Sequence, residues 1–253
     1  MRLLVFALGL YFLPGLPGLP APPPLTVSAA ISLTDAMEVL GPMYAGRGGA
    51  SIRFNYGGSN ALARQIVRGA PVDVFISADE AQMNVVEAAG ALAPGTRVRL
   101  LGNTLVTIRH RAMPSVGGVE LLRGPAYRRI AIGDPEAVPA GVYAKRLLMQ
   151  LGLWDALQPK LVPVGSVRAA LAAVDNGAAD AAFVYASDVH SYRGVAIAVL
   201  SSWPPNTPGI VYPAAALQSS RQQTEAARFL AFLCGAEAAA VFEQHRFNPL
   251  RCK

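Results

Sequence analysis

Four segments of this 253-residue chain end an apolar run and begin a helical pattern within a few residues. They are AAISLTDAM (29–37), NYGGSNALARQI (55–66), GDPEAVPAGVYAKRLL (133–148) and PVGSVRAALAAV (163–174). A helix start carries backbone N–H groups with no partner in the helix, and its dipole favours negative charge. Where such starts sit at the C-terminal ends of neighbouring strands they converge on a cleft, and together they suit a small anion. Ser32 and Ser59 mark the first two joints, Ala140 and Val167 the other two. Spacing alone leaves Ser32 three readings: a helix cap paired with Asp35, an activated nucleophile, or a donor to a bound anion. Tyr185, which ends the apolar run AAFVY (181–185), reads either as core or as a further donor.

Other chemistries have less to work with. Gly57-Gly58-Ser59-Asn60-Ala61 is one residue short of the nucleophile elbow of α/β-hydrolases, and His190 and His245 follow it in the chain. A secreted serine hydrolase using Ser59 therefore stays open, although neither serine has an assigned base. The three histidines (110, 190 and 245) stand apart from cysteine or carboxylate clusters, and the spacing of Cys234 and Cys252 matches no zinc motif, so no metal site is expected. There is no phosphate-binding glycine fingerprint, hence no nucleotide cofactor. The net charge of +6 comes from scattered arginines, which suit an anionic small ligand better than a nucleic-acid backbone.

The elements that must position these residues follow from the pattern. Residues 1–24 (MRLLVFALGLYFLPGLPGLPAPPP) read as a signal peptide and a proline-rich tether, the apolar stretch being too short to span a bilayer. From Leu25, β-like runs alternate with helical ones over 33–40, 60–68 and 80–89, with Gly41-Pro42 expected to break or kink the first helix. Asp79 and Gln82 form a capping-box pattern, and Gly69, Gly90 and Gly177 sit just past helices. A second series follows: TLVTIR, RIAIGD, a helix over 141–151, KLVPVG, a helix over 167–176, then AAFVYA. The tail offers a strand (210–217) and helices over 221–233 and 236–245, with no further strand expected. These pack best on the first series, giving two α/β lobes, 25–103 with 206–253 and 104–205, joined by a two-stranded hinge crossing. Cys234 and Cys252 either pair and pin the last helix or remain free thiols.

Beyond these patterns, AAISLTDAM, ALARQIVRGAPVDVFISAD, LLGNTLV, GDPEAVPAGVYAKRLLMQLGLWDALQPKL, VRAALAAVDNGAADAAFVYASD and VYPAAAL together resemble the periplasmic molybdate-binding proteins of ABC transporters. The resemblance implies a type II periplasmic-binding-protein fold: two lobes, each a mixed, mainly parallel sheet flanked by helices. It further implies a soluble, monomeric periplasmic protein, not an enzyme, that takes up molybdate or tungstate and delivers it to an inner-membrane permease. Motif by motif it assigns the oxyanion to Ser32, Ser59, Tyr185 and the backbone N–H groups of Ala140 and Val167. Another tetrahedral oxyanion, such as sulfate, is the alternative ligand. Two departures stand out: Ile31 where a small residue is usual, and Gly57-Gly58 where hydroxyl residues are common. The first is expected to crowd the pocket and the second to add backbone freedom.

Overall fold

The computed structural model describes residues 23–203 and 209–252, so the expected leader lies outside the described residues apart from Pro23 and Pro24. The chain runs β1 (Leu25–Ala30), α1 (Thr34–Gly46), β2 (Ile52–Gly57), α2 (Ser59–Val67), β3 (Val74–Ile76), α3 (Glu80–Ala88) and β4 (Val98–Asn103). It continues through β5 (Leu105–His110), β6 (Ile130–Gly133), α4 (Pro139–Gln150), α5 (Trp154–Leu157), β7 (Leu161–Val164), α6 (Val167–Asp175), β8 (Ala181–Tyr185), α7 (Ala186–Ser191) and β9 (Ile197–Ser202). It closes with β10 (Ile210–Ala216), α8 (Gln223–Leu233), α9 (Ala236–Gln244) and β11 (Asn248–Pro249). No helix among the described residues is long and apolar enough to cross a membrane.

Two sheets result, ordered β11-β4-β10-β3-β1-β2 and β7-β6-β8-β5-β9. Strands β2, β1 and β3 pair in parallel, as do β7, β6 and β8, while β10, β4, β11, β5 and β9 join antiparallel. The antiparallel share is larger than the mainly parallel sheets expected, because the chain enters and leaves each sheet through β4, β5, β9 and β10. Only Thr104 separates β4 in one sheet from β5 in the other. The short β11 was not anticipated; it pairs with β4 next to the disulfide between Cys234, the C-cap of α8, and Cys252.

Local chemistry explains most element ends. The runs AAFVY and IVYPAAA are buried at every position, as strands covered on both faces must be. Gly69, Gly90 and Gly177 have φ of 88°, 67° and 75° just past their helices, where other residues would be strained. The helix does not break at Gly41-Pro42: α1 continues through both residues. Pro42 removes one helix hydrogen bond, but the helix stays docked: a side chain at Gly41 would come within 2.9 Å of the Phe54 ring, and Tyr44 packs edge-on to Phe229.

Candidate functional site

The β-strand ends and helix starts singled out in the sequence meet in space. Ser32, Ser59, Ala140, Val167 and Tyr185 all line one cavity, together with Ala30, Ile31, Gly57, Gly58, Ala78, Val138, Pro139 and Ser166. The first two residues follow β1 and β2, and the other three belong to elements around the second sheet. The cavity has a volume of about 20 Å³ measured to the centres of water-sized spheres. Taken as a sphere and widened by a water radius, that is a hole about 3 Å in radius, the scale of one tetrahedral oxyanion and too small for a sugar or an amino acid. No Lys, Arg, His, Asp or Glu lines it.

Each helix start is placed by close packing. Gly141 lets α4 sit on the end of β6, since a side chain there would collide with the Gly133 carbonyl. The next joint carries a true cap: Ser166, extended at φ −161° and ψ 164°, accepts from the Ala169 N–H at 3.2 Å. Ser32 and Ser59 differ. Ser32 lies inside a 3-10 turn over residues 31–33 and Ser59 is the first residue of α2, and neither side chain caps a helix. The capping role considered for Ser32 with Asp35 is therefore corrected, because the turn carries the Ser32 hydroxyl away from the free amides of α1. At Asp79 half of the predicted box forms: its carboxylate accepts from the Gln82 N–H, while the Gln82 side chain donates to the Ala137 carbonyl at 3.2 Å.

Hydrogen-bond polarity follows from donors that cannot reverse. The Ala78 N–H donates to Ser59 Oγ at 2.9 Å, so the Ser59 hydroxyl accepts there and keeps its own proton for the cavity. The Thr104 N–H donates to Asn103 Oδ1 at 2.8 Å, which fixes the amide and leaves Asn103 Nδ2 to donate to Ser187 Oγ at 2.9 Å and to the Tyr212 hydroxyl at 3.2 Å. Tyr212 and Ser32 Oγ lie 3.0 Å apart, a bond that either oxygen could donate; because the Tyr212 oxygen already accepts from Asn103, the favoured direction is Tyr212 to Ser32, which leaves the Ser32 proton for the cavity. Tyr185 is 1% exposed and its hydroxyl has no partner among the described residues. Burial holds its pKa well above the ordinary phenol value, so it keeps its proton at neutral pH and has it to donate.

The first-turn N–H groups of Ser59, Ala140 and Val167 likewise have no protein acceptor among the described residues. These hydroxyl residues and helix starts thus line a cavity with no charged side chain, a lining whose neutral donors would suit a fully ionised oxyanion. Asp134 and Glu136, the carboxylates nearest in sequence to Ala140, do not line it; Asp134 accepts from the Glu136 N–H, and Glu136 pairs with Lys145.

The glycines add space: Gly58 is ordinary extended backbone (φ −62°, ψ 133°), and a side chain there would come within 2.8 Å of the Gly165 carbonyl on the opposite wall. The hydrolase reading lacks its base, since Ser59 bonds to a backbone amide while His190 and His245 pack against each other with ring centroids 5.9 Å apart. Tyr212 and Asn103, which orient Ser32, were missed because each lies in a buried strand where an apolar run gives no sign of a polar task. The available signal was Pro213, since a proline inside a strand marks an irregular ladder; there the pairing of β10 with β4 shifts register and passes over Leu100 of β4.

Comparison with known proteins agrees with this geometry. A molybdate-binding protein of Escherichia coli (strain K12) is 38% identical over 233 residues, covering 88% of this chain and 88% of its own. One from Mycobacterium tuberculosis (strain ATCC 25618 / H37Rv) is 34% identical over 230 residues, covering 88% and 84%. Among solved structures, the periplasmic molybdate-binding protein of Azotobacter vinelandii superposes with a TM-score of 0.76 at 28% identity, over 88% of this chain and 98% of that one. A sulfate-binding protein of Mycobacterium tuberculosis H37Rv reaches the same TM-score at 16% identity over 89% and 86%, a likeness of fold. The family model for bacterial extracellular solute-binding proteins matches residues 25–248, and with the two-sheet architecture and the donor-lined cavity it places this chain in that family.

Proposed function

We propose that this protein is the exported, periplasmic receptor of an ABC transporter, capturing molybdate or tungstate between two lobes and presenting it to a membrane permease. The lobes would be residues 25–103 with 206–253, and 104–205, with residues 1–24 serving export. The ligand is held by the Ser32, Ser59 and Tyr185 hydroxyls and the N–H groups of Ala140 and Val167. The observation that carries this reading is that these residues, none of them charged, line one cavity of one oxyanion's size, with the Tyr185 hydroxyl and the helix-start amides lacking a partner among the described residues. The molybdate-binding relatives favour that ion over sulfate. Binding requires no bond making, and the chain acts as a carrier rather than an enzyme.

Selection follows from donor polarity and size. Molybdate, tungstate and sulfate accept hydrogen bonds at every oxygen, whereas hydrogen phosphate also donates one and finds no carboxylate in the lining to receive it. Sulfate has the right charge and shape but is smaller, and would leave some donors unmatched. Competition titration among molybdate, tungstate, sulfate and phosphate tests this: molybdate and tungstate should bind tightest. Sulfate binding as tightly as molybdate, or phosphate competing with either, would overturn it.

A further inference from the structure

The three joints that present Ser32, Val167 and Tyr185 also carry, one to three residues further on, the charged residues Asp35, Arg168 and Asp188. These meet. Arg168 Nε bonds Asp188 Oδ1 at 3.0 Å on its own side of the cleft, and Arg168 Nη2 bonds Asp35 Oδ2 on α1, on the other side. Among the described residues Arg168–Asp35 is the one ion pair joining elements around the two sheets; other crossing contacts, such as Gln82 to Ala137, Asn103 to Ser187 and the Val211 N–H to the Tyr143 hydroxyl, are neutral.

Resting on the proposed oxyanion function, we propose that Arg168 is a positioning residue that fastens the two lobes shut over the bound anion through Asp35, with Asp188 aiming its guanidinium. The division of labour is geometric. The Asp188 side chain is fully buried and also accepts from the Tyr185 N–H at 3.3 Å, so its bond to Arg168 persists whether the lobes are together or apart. Asp35 is on the far wall, and only closure brings it to Arg168. An interaction present in the closed form alone shifts the equilibrium towards it and slows release. Burial works against the Asp35 charge, but hydrogen bonding and attraction from Arg168 outweigh it and keep the carboxyl below its ordinary pKa, ionised through the neutral range. A guanidinium already tied to the buried Asp188 is oriented before the lobes meet, so little freedom is lost on closing. The arrangement also keeps a cation one residue behind the Val167 amide, near the anion without touching it, where attraction is felt but the neutral donors still decide which ion fits.

Asp35→Asn tests the latch, because it removes the charge of the crossing pair, leaving at most a weaker amide bond, and keeps the buried Arg168–Asp188 pair whole. Release of bound molybdate after dilution should be about three- to tenfold faster than in the full wild-type chain, with ligand-free melting unchanged. Added sodium chloride should accelerate wild-type release and leave the variant nearly unaffected. Small-angle scattering of the ligand-free proteins should show the variant more open on average. Release as slow as wild type, or a fall in ligand-free stability matching the loss of affinity, would overturn the latch. Failure of the wild type to bind molybdate would overturn the proposed function instead, and the scattering comparison would still decide the latch.

Discussion

The two walls of the cavity do the same work with different atoms. On the wall built from β1 and β2, Ser32 and Ser59 offer side-chain hydroxyls whose direction is set from behind, by Tyr212 and by the Ala78 amide. On the opposite wall Ala140 and Val167 offer backbone N–H groups held rigid by helices α4 and α6, and Tyr185 adds one hydroxyl. Backbone donors need no side-chain ordering and survive almost any substitution, whereas hydroxyl donors can be turned, lost or retuned by one. Affinity should therefore be spread over both walls, with the serine wall the one open to change.

Removing both hydroxyls from the first wall, Ser32→Ala with Ser59→Ala, should have the largest effect. Two charge-assisted hydrogen bonds at about 1.5–3 kcal/mol each predict a loss of a hundredfold or more in molybdate affinity by calorimetry. Unchanged affinity would mean that the second wall suffices. Val167→Pro deletes an amide from the second wall without breaking its helix, because position N1 tolerates proline and Ser166 already has the extended backbone that must precede one. It should cost about tenfold or more in affinity with the circular dichroism spectrum retained. Tyr185→Phe, which removes the phenol hydroxyl of that wall, should cost about tenfold by the same titration.

Subtler is Tyr212→Phe, which touches no ligand. Without its donor the Ser32 hydroxyl is free to rotate, so molybdate binding should weaken a few-fold while discrimination against hydrogen phosphate relaxes more. Equal loss for both anions would show that polarity is set elsewhere. The smallest effect lies where the two histidines pack together. Burial, with like charge from His190, lowers the pKa of His245 below 6.5. The unfolded chain therefore takes up a proton first as pH falls through 6.5, and stability drops until the folded value is passed. Asp188, pushed up to about 6 chiefly by burial, works in the opposite sense: its raised value makes stability rise as pH falls from 6 towards 4. Melting temperatures should thus dip slightly between pH 7 and 6, and His245→Gln should remove the dip.

Much of this was legible in the chain itself. Alternating apolar runs and capped helices locate the elements, and a strand that runs into a helix start implies free amides whatever residue sits there, which is why Ala140 and Val167 could be named without side-chain chemistry. What was not legible shares a cause. The unbroken α1, the space-limited Gly58 and the turned Ser32 each depend on what lies across a packed contact: Phe54 under Gly41, the Gly165 carbonyl facing Gly58, Tyr212 behind Ser32. Sequence by itself determined the class of element, the joints and the kinds of donor, because those follow from local backbone geometry and periodicity. Only the tertiary structure decided which way each hydroxyl points and which charges meet across the cleft, because those depend on partners up to 180 residues away along the chain.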